Sequence, residues 1–130
     1  MKEVMAVIRM DMVGKTKEAL AKAGFPSITC KKVVGRGKKK VGFSLIKNYV
    51  SEENIYELES KSDIEQISEA HRLISKRLII ILVKDEDAEK VINTIIEVNK
   101  TGNPGDGKIF VTKVTDAIRI RTEKTGDAAI

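Results

Sequence analysis

The chain has 130 residues, 42% hydrophobic and 33% charged, which suits one compact α/β-containing domain and excludes the low-hydrophobicity composition of a disordered chain. One cysteine, Cys30, and one histidine, His71, exclude a disulfide scaffold and a histidine–cysteine metal cluster. The net charge of +5 invites an anionic partner, and the longest apolar run, the six residues from Leu78 to Val83, falls far short of the roughly 20 needed to cross a bilayer. With no apolar signal region at the N-terminus, the sequence reads as cytoplasmic, without membrane insertion.

Lys2 to Met10 alternates around Val4, Ala6 and Ile8 and predicts a first strand. Asp11 then opens a helix to about Ala23, with Val13, Ala19, Leu20 and Ala23 on one face and Gly24 past its end. Ser27 to Gly35 is rich in β-branched residues and reads as a second strand. The stretch from Gly35 to Ser75 is too long for an ordinary connection, and such loops usually carry function. Within it, Ser62 to Glu65 reads as a capping box that opens a short helix bearing Ile64, Ile67, His71 and Ile74. Lys76 to Val83 has the isoleucine-dense run of a central strand. Asp85 is expected to cap a second helix with Ala88, Val91, Ile92, Ile95 and Ile96 at helical spacing, ending near Lys100. Lys108 to Val114 is a fourth strand, with Phe110 in the core, and Arg119 to Thr122 is a short further strand. Cys30 is expected to be a small packing group.

The order strand, helix, strand, strand, helix, strand gives the fold class α+β, a ferredoxin-like βαββαβ sandwich with a long loop between strands 2 and 3 and a short C-terminal extension. The whole chain reads as one domain, with the loop at about 36–75.

Charge is polarised within that loop. Lys31, Lys32, Arg36, Lys38, Lys39 and Lys40 crowd its entrance, whereas Ser51 to Ala70 carries Glu52, Glu53, Glu57, Glu59, Asp63, Glu65 and Glu69 against Lys61 alone. Crowded cations repel one another unless an anion joins them, although an acidic tip also suits a solvated face.

Two motifs bear on chemistry. In TGNPGDGKIFV (Thr101 to Val111), Gly102, Gly105 and Gly107 sit between helix and strand with Lys108 following. Glycine lets backbone N–H groups approach a phosphate and the lysine adds a point charge, but the same spacing also suits a plain helix-to-strand turn. It lacks the GxxxxGK[ST] spacing of a P-loop. Arg119 and Arg121, two apart in an extended stretch, would share one face, either as a phosphate fork or as a solvated strand face.

TGNPGDGKIFV followed by VTDAIRIRTEKTGDAAI, together with MKEVMAVIR at the start and ITCKKVVGRGK before the loop, resembles the P-II signalling family across nearly the whole chain apart from the loop interior. The resemblance implies a trimer whose three intersubunit clefts each take ATP or ADP and, with ATP, 2-oxoglutarate. It assigns to the nucleotide Thr29, Gly35, Arg36, Gly37, Lys38, Leu82, Gly105, Asp106, Gly107, Lys108, Arg119 and Arg121, with Lys108 and the arginine pair on the phosphates. It assigns Gly37, Lys39, Lys40 and Lys76 to 2-oxoglutarate.

The departures are informative. Lys39 stands where most relatives carry the glutamine that completes a Mg²⁺ shell, and a charged lysine cannot ligate Mg²⁺. Ile80 replaces a usual glutamate near the adenine. The loop lacks the tyrosine segment that many members expose for uridylylation; Phe43, Tyr49, Ser51 and Tyr56 are instead expected to meet a protein partner.

A long, divergent loop on an intact core resembles the NifI branch, particularly the second member of its pair, which implies inhibition of the dinitrogenase component of nitrogenase, relieved by 2-oxoglutarate. The oligomer is either a homotrimer or a mixture with a P-II paralogue, and an ammonium transporter or glutamine synthetase is the alternative target. A nucleic-acid-binding reading is disfavoured, because five aromatic residues form no base-stacking block and the acidic loop tip repels phosphates. No nucleophile has a base partner, so the chain is not read as an enzyme.

Overall fold

The computed structural model describes residues 1–37 and 73–130. The chain divides into two compact units, Met1–Val33 with Ser75–Ile130, and Val34–Ile74. The elements are β1 (Lys2–Ile8), α1 (Val13–Lys22), β2 (Thr29–Gly35), β3 (Ile74–Val83), α2 (Ala88–Asn99) and β4 (Lys108–Lys113). They form one four-stranded sheet in the order β2-β3-β1-β4, with β1 antiparallel to both β3 and β4. This is the expected α+β, ferredoxin-like arrangement, with the helices against one face of the sheet.

Alternation decides which side chains meet those helices. Val4, Ala6 and Ile8 of β1 and Ile79, Ile81 and Val83 of β3 are buried, and they cluster with Leu20 of α1 and Ala88, Val91 and Ile95 of α2. The buried positions of α2 (Ala88, Val91, Ile95, Asn99) follow the three- and four-residue steps of a helix stripe. Met5 lies opposite both Ile80 and Phe110, so these residues share the sheet's other face.

Several local expectations change. Helix α1 starts at Val13 after a 3-10 turn at Met10–Met12, and neither Asp11 nor Asp85 caps a helix. Asp85 instead opens a 3-10 turn and pairs with the N-terminal ammonium of Met1 at 3.3 Å. Phe110 is not in the core but 51% exposed, because its position in β4 points to the face without helices. Cys30 is exposed rather than packed, on edge strand β2. The short strand at Arg119 to Thr122 is replaced by a turn, closed by the Ile118–Thr125 bridge and the Arg119 carbonyl's bonds from Thr122 and Glu123. The expected short helix after Ser62, and His71 with it, lie outside the described residues.

The two helices are joined by a buried polar contact. Thr16 Oγ1 donates to the Met12 carbonyl at 2.8 Å and accepts from Asn99 Nδ2 at 3.0 Å, while Asn99 Nδ2 also donates to the Ile95 carbonyl at 2.9 Å. Replacing Thr16 by valine keeps the shape but strands a buried amide hydrogen. Thr16→Val is therefore expected to destabilise the fold by about 1–3 kcal/mol, read as a lower midpoint in urea unfolding with an unchanged slope.

Candidate functional site

The turn from Thr101 to Lys108 follows α2 and leads into β4 at the edge of the sheet. It is organised by one carboxylate. Asp106 accepts hydrogen bonds from the Thr101 amide (2.8 Å), the Thr101 hydroxyl and the Gly102 amide (3.1 Å), and pairs with the Arg9 guanidinium at 2.7 Å. The Thr101 hydroxyl, then the Thr101 amide, the Arg9 guanidinium and the Gly102 amide, hold the Asp106 carboxyl well below the usual carboxylate range. Thr101 Oγ1 in turn accepts from the Asn103 amide at 3.3 Å. The first three amides of the turn are thereby paired within it.

Two glycines have a specific reason to be there. Gly107 has φ +118, and a Cβ at that position would lie 1.9 Å from the Val7 carbonyl oxygen, a backbone atom that cannot step aside. Gly105 has φ +102, with Arg9 Nη2 3.6 Å and Lys76 Nζ 3.9 Å from where its Cβ would stand. Lys76 donates to the Gly105 carbonyl at 2.6 Å. Two cations from different strands, one at the end of β1 and one at the start of β3, thus converge on one glycine.

The structure brings together Gly105, Asp106, Gly107 and Lys76 of the residues assigned from sequence. Lys108 opens β4 opposite Val7 and shares the open sheet face with Leu82 of β3, which lies opposite Glu3. Thr29 opens β2 with an exposed side chain. Gly35 ends β2, Arg36 and Gly37 follow it, and all three belong to the second unit.

Arg119 and Arg121 do not project from one extended face. Arg119 bonds the Ala129 carbonyl at 3.2 Å and the Ile130 carbonyl at 3.4 Å, and Arg121 sits in the turn that follows. Lys38, Lys39, Lys40, Phe43, Tyr49, Ser51 and Tyr56 lie outside the described residues.

Sequence reasoning missed Arg9 and Thr101. For Thr101 the signal was available, since a threonine opening a glycine turn that closes on an aspartate is a local hydrogen-bonding pattern. Nothing in the local sequence links Arg9 to Asp106, which lies almost a hundred residues away.

Gly107→Ala is expected to disrupt this turn, lowering the thermal midpoint by several degrees; an unchanged midpoint would show that β1 and β4 separate readily. The acid response of Asp106 has a definite sign. Its folded pKa is depressed, so its contribution is present above the unfolded value of about 4 and is lost as pH falls below it. Asp106→Asn is accordingly expected to flatten the decline of stability between about pH 5 and pH 2, measured by urea unfolding of both proteins.

Comparison with known proteins assigns the chain to a family. Residues 1–124 match the family described as nitrogen regulatory protein P-II. The chain is 42% identical over its full length to 99% of "Nitrogen fixation nifHD region GlnB-like protein 2" of Methanobacterium ivanovii. It is 44% identical over its full length to 98% of the protein of the same description from Methanothermococcus thermolithotrophicus. "Nitrogen regulatory protein P-II 2" of Methanothermobacter thermautotrophicus is 34% identical, with all of this chain and 97% of that protein aligned. The match spans both the sheet and the glycine turn, and the chain belongs to the P-II family of nitrogen regulatory proteins, which are signalling proteins and not enzymes.

Proposed function

We propose that this protein senses ATP or ADP and 2-oxoglutarate at the edge formed by the Gly105–Lys108 turn, and transmits the result through residues 36–75 to a protein partner. The observation that carries this reading is the Gly107 cradle. The chain reverses there so tightly against Val7 that no side chain fits, leaving backbone beside the cation of Lys108. Backbone N–H groups and a lysine are what a phosphate needs, and Lys108 has no ion-pair partner among the described residues. The residues therefore fit a nucleotide phosphate.

The fit for a dicarboxylate rests on Lys76 and Arg9, which converge at Gly105. A 2-oxoglutarate carboxylate that takes Lys76 competes with the Gly105 carbonyl. Effector binding at the foot of the loop is thereby felt by the nucleotide turn, and a ligand shifts a loop only if it binds its states unequally. Lys39 in place of the usual glutamine argues against a Mg²⁺ ion bridging the two ligands.

Assembly follows from the open sheet face, which exposes Phe110 and, beyond β4, Ile118 and Ile120. Their burial favours the trimer typical of the family, as a homotrimer or with a P-II paralogue, and brings Thr29, Arg119 and Arg121 to a neighbour's turn. The names of the relatives point to nitrogen fixation, and the protein is placed by this reading in the cytoplasm. The target proposed is the dinitrogenase component of nitrogenase, inhibited until 2-oxoglutarate rises. The chain acts as a single P-II domain that includes the loop at about 36–75. No helix among the described residues is long and apolar enough to cross a membrane.

Calorimetry with ATP is expected to show saturable binding that Lys108→Ala weakens about 10- to 100-fold, the cost of one charge-assisted contact. Absence of binding, or indifference to the substitution, overturns the nucleotide reading. Deleting residues 51–70 is expected to abolish capture of the dinitrogenase component while leaving ATP affinity unchanged; equal capture by both proteins removes the loop as the docking element.

A further inference from the structure

The carboxylate of Asp106 has no acceptor capacity left for a ligand. A carboxylate offers about four lone-pair directions. Oδ1 receives the Thr101 hydroxyl and the Arg9 guanidinium, and Oδ2 receives the Thr101 and Gly102 amides. Neither oxygen has a direction remaining for a ribose hydroxyl or a metal ion. Direct contact with the nucleotide, the role that the sequence resemblance implies for Asp106, does not fit this bonding.

The groups on that carboxylate come from separate places in the chain. Thr101 and Gly102 open the turn, Asp106 stands near its close, and Arg9 follows directly on β1. The ion pair is partly shielded, with the Arg9 side chain 27% and the Asp106 side chain 24% exposed, and a partly buried pair is screened less by salt than one on an open surface. Gly107 lies against the Val7 carbonyl. The turn is therefore fastened to β1 at two positions, Val7 and Arg9, on either side of Ile8.

Charge makes the arginine more than a strut. Asp106 is two residues from Lys108, and an unpaired carboxylate there would repel the phosphate proposed for that lysine. Arg9 offsets the charge through Nη1, while its Nη2 lies 3.6 Å from where a Gly105 Cβ would stand. Thr101 does a different task. Its hydroxyl gives its proton to Asp106 and accepts from the Asn103 amide at 3.3 Å, which orders the first half of the turn.

We propose that Arg9 and Thr101 are positioning residues for the nucleotide site, acting through Asp106, which itself makes no contact with the ligand. This inference rests on the nucleotide reading above and goes beyond it by separating Lys108, which meets the phosphate, from the three residues that hold and neutralise the backbone beside it. Removing one member of such a set loosens the donors before the ligand arrives, and they must then be ordered on binding. Removing a second member adds little, because residues that share one network act as a unit.

Calorimetry of the full chain with ATP, in the absence of 2-oxoglutarate, tests this. Arg9→Gln and Asp106→Asn are each expected to weaken ATP about tenfold, and the double substitution no more than either alone. Thr101 is exposed, so Thr101→Val keeps the fold and the shape while losing the hydroxyl; it is expected to weaken ATP severalfold, and Thr101→Ser to bind as the wild type does. In the ATP-free protein, Arg9→Gln is expected to speed amide exchange at Thr101 and Gly102 while the β3 amides keep their protection, which separates a loosened turn from an unfolded chain. Losses that multiply in the double substitution would put Arg9 or Asp106 on the ligand and overturn the proposal. Wild-type affinity in both Arg9→Gln and Thr101→Val also overturns it, and with Lys108→Ala still impaired the nucleotide reading stands. No ATP binding by the unsubstituted protein removes both.

Discussion

Asp106 is the residue around which the functional edge is arranged. A glycine turn is the least self-supporting structure a chain can make, because glycine loses the most backbone freedom on ordering. Here one carboxylate gathers the amides of Thr101 and Gly102, the Thr101 hydroxyl and the Arg9 guanidinium, so both ends of the turn are held to one point. Since Arg9 follows directly on β1, the same ion pair fixes the turn to the central strand of the sheet. Gly107 completes the attachment by lying against the Val7 carbonyl. The phosphate site proposed for this turn would need such rigidity, because donors arranged before a ligand arrives cost little to align on binding.

The same arrangement links the turn to the foot of the long loop. Lys76 lies at the start of β3, where the chain returns from residues 34–74, and its ammonium is on the Gly105 carbonyl. Arg9 reaches the same turn through Asp106, in a charge-assisted bond that belongs to the turn's own scaffold.

Legibility in the sequence followed the range of the interactions. The four strands and two helices were readable because alternation in Val4, Ala6 and Ile8 and the helical spacing of Ala88, Val91 and Ile95 are local patterns set by burial. Phe110 was misread because hydrophobicity shows that a side chain avoids water and not which face of a sheet is covered within one chain. The arginines at 119 and 121 were misread because a tight turn, closed on the Arg119 carbonyl, overrides an alternating pattern only two residues long. The glycine turn was legible as a motif, but its support was not. Arg9 and Lys76 reach it from the ends of other strands, and sheet register, not sequence distance, brings them there.

The two faces of the sheet at this edge consequently offer different chemistry from the same short backbone. On the open face, Lys108, Leu82 and Ile80 present one cation over an apolar strand surface. On the helix face, Ile92, Ile95 and Ile96 of α2 meet Ile8 and Ile109 around a small apolar cavity. Gly107 lies at the junction and is pressed against the Val7 carbonyl, so the turn cannot shift without disturbing β1.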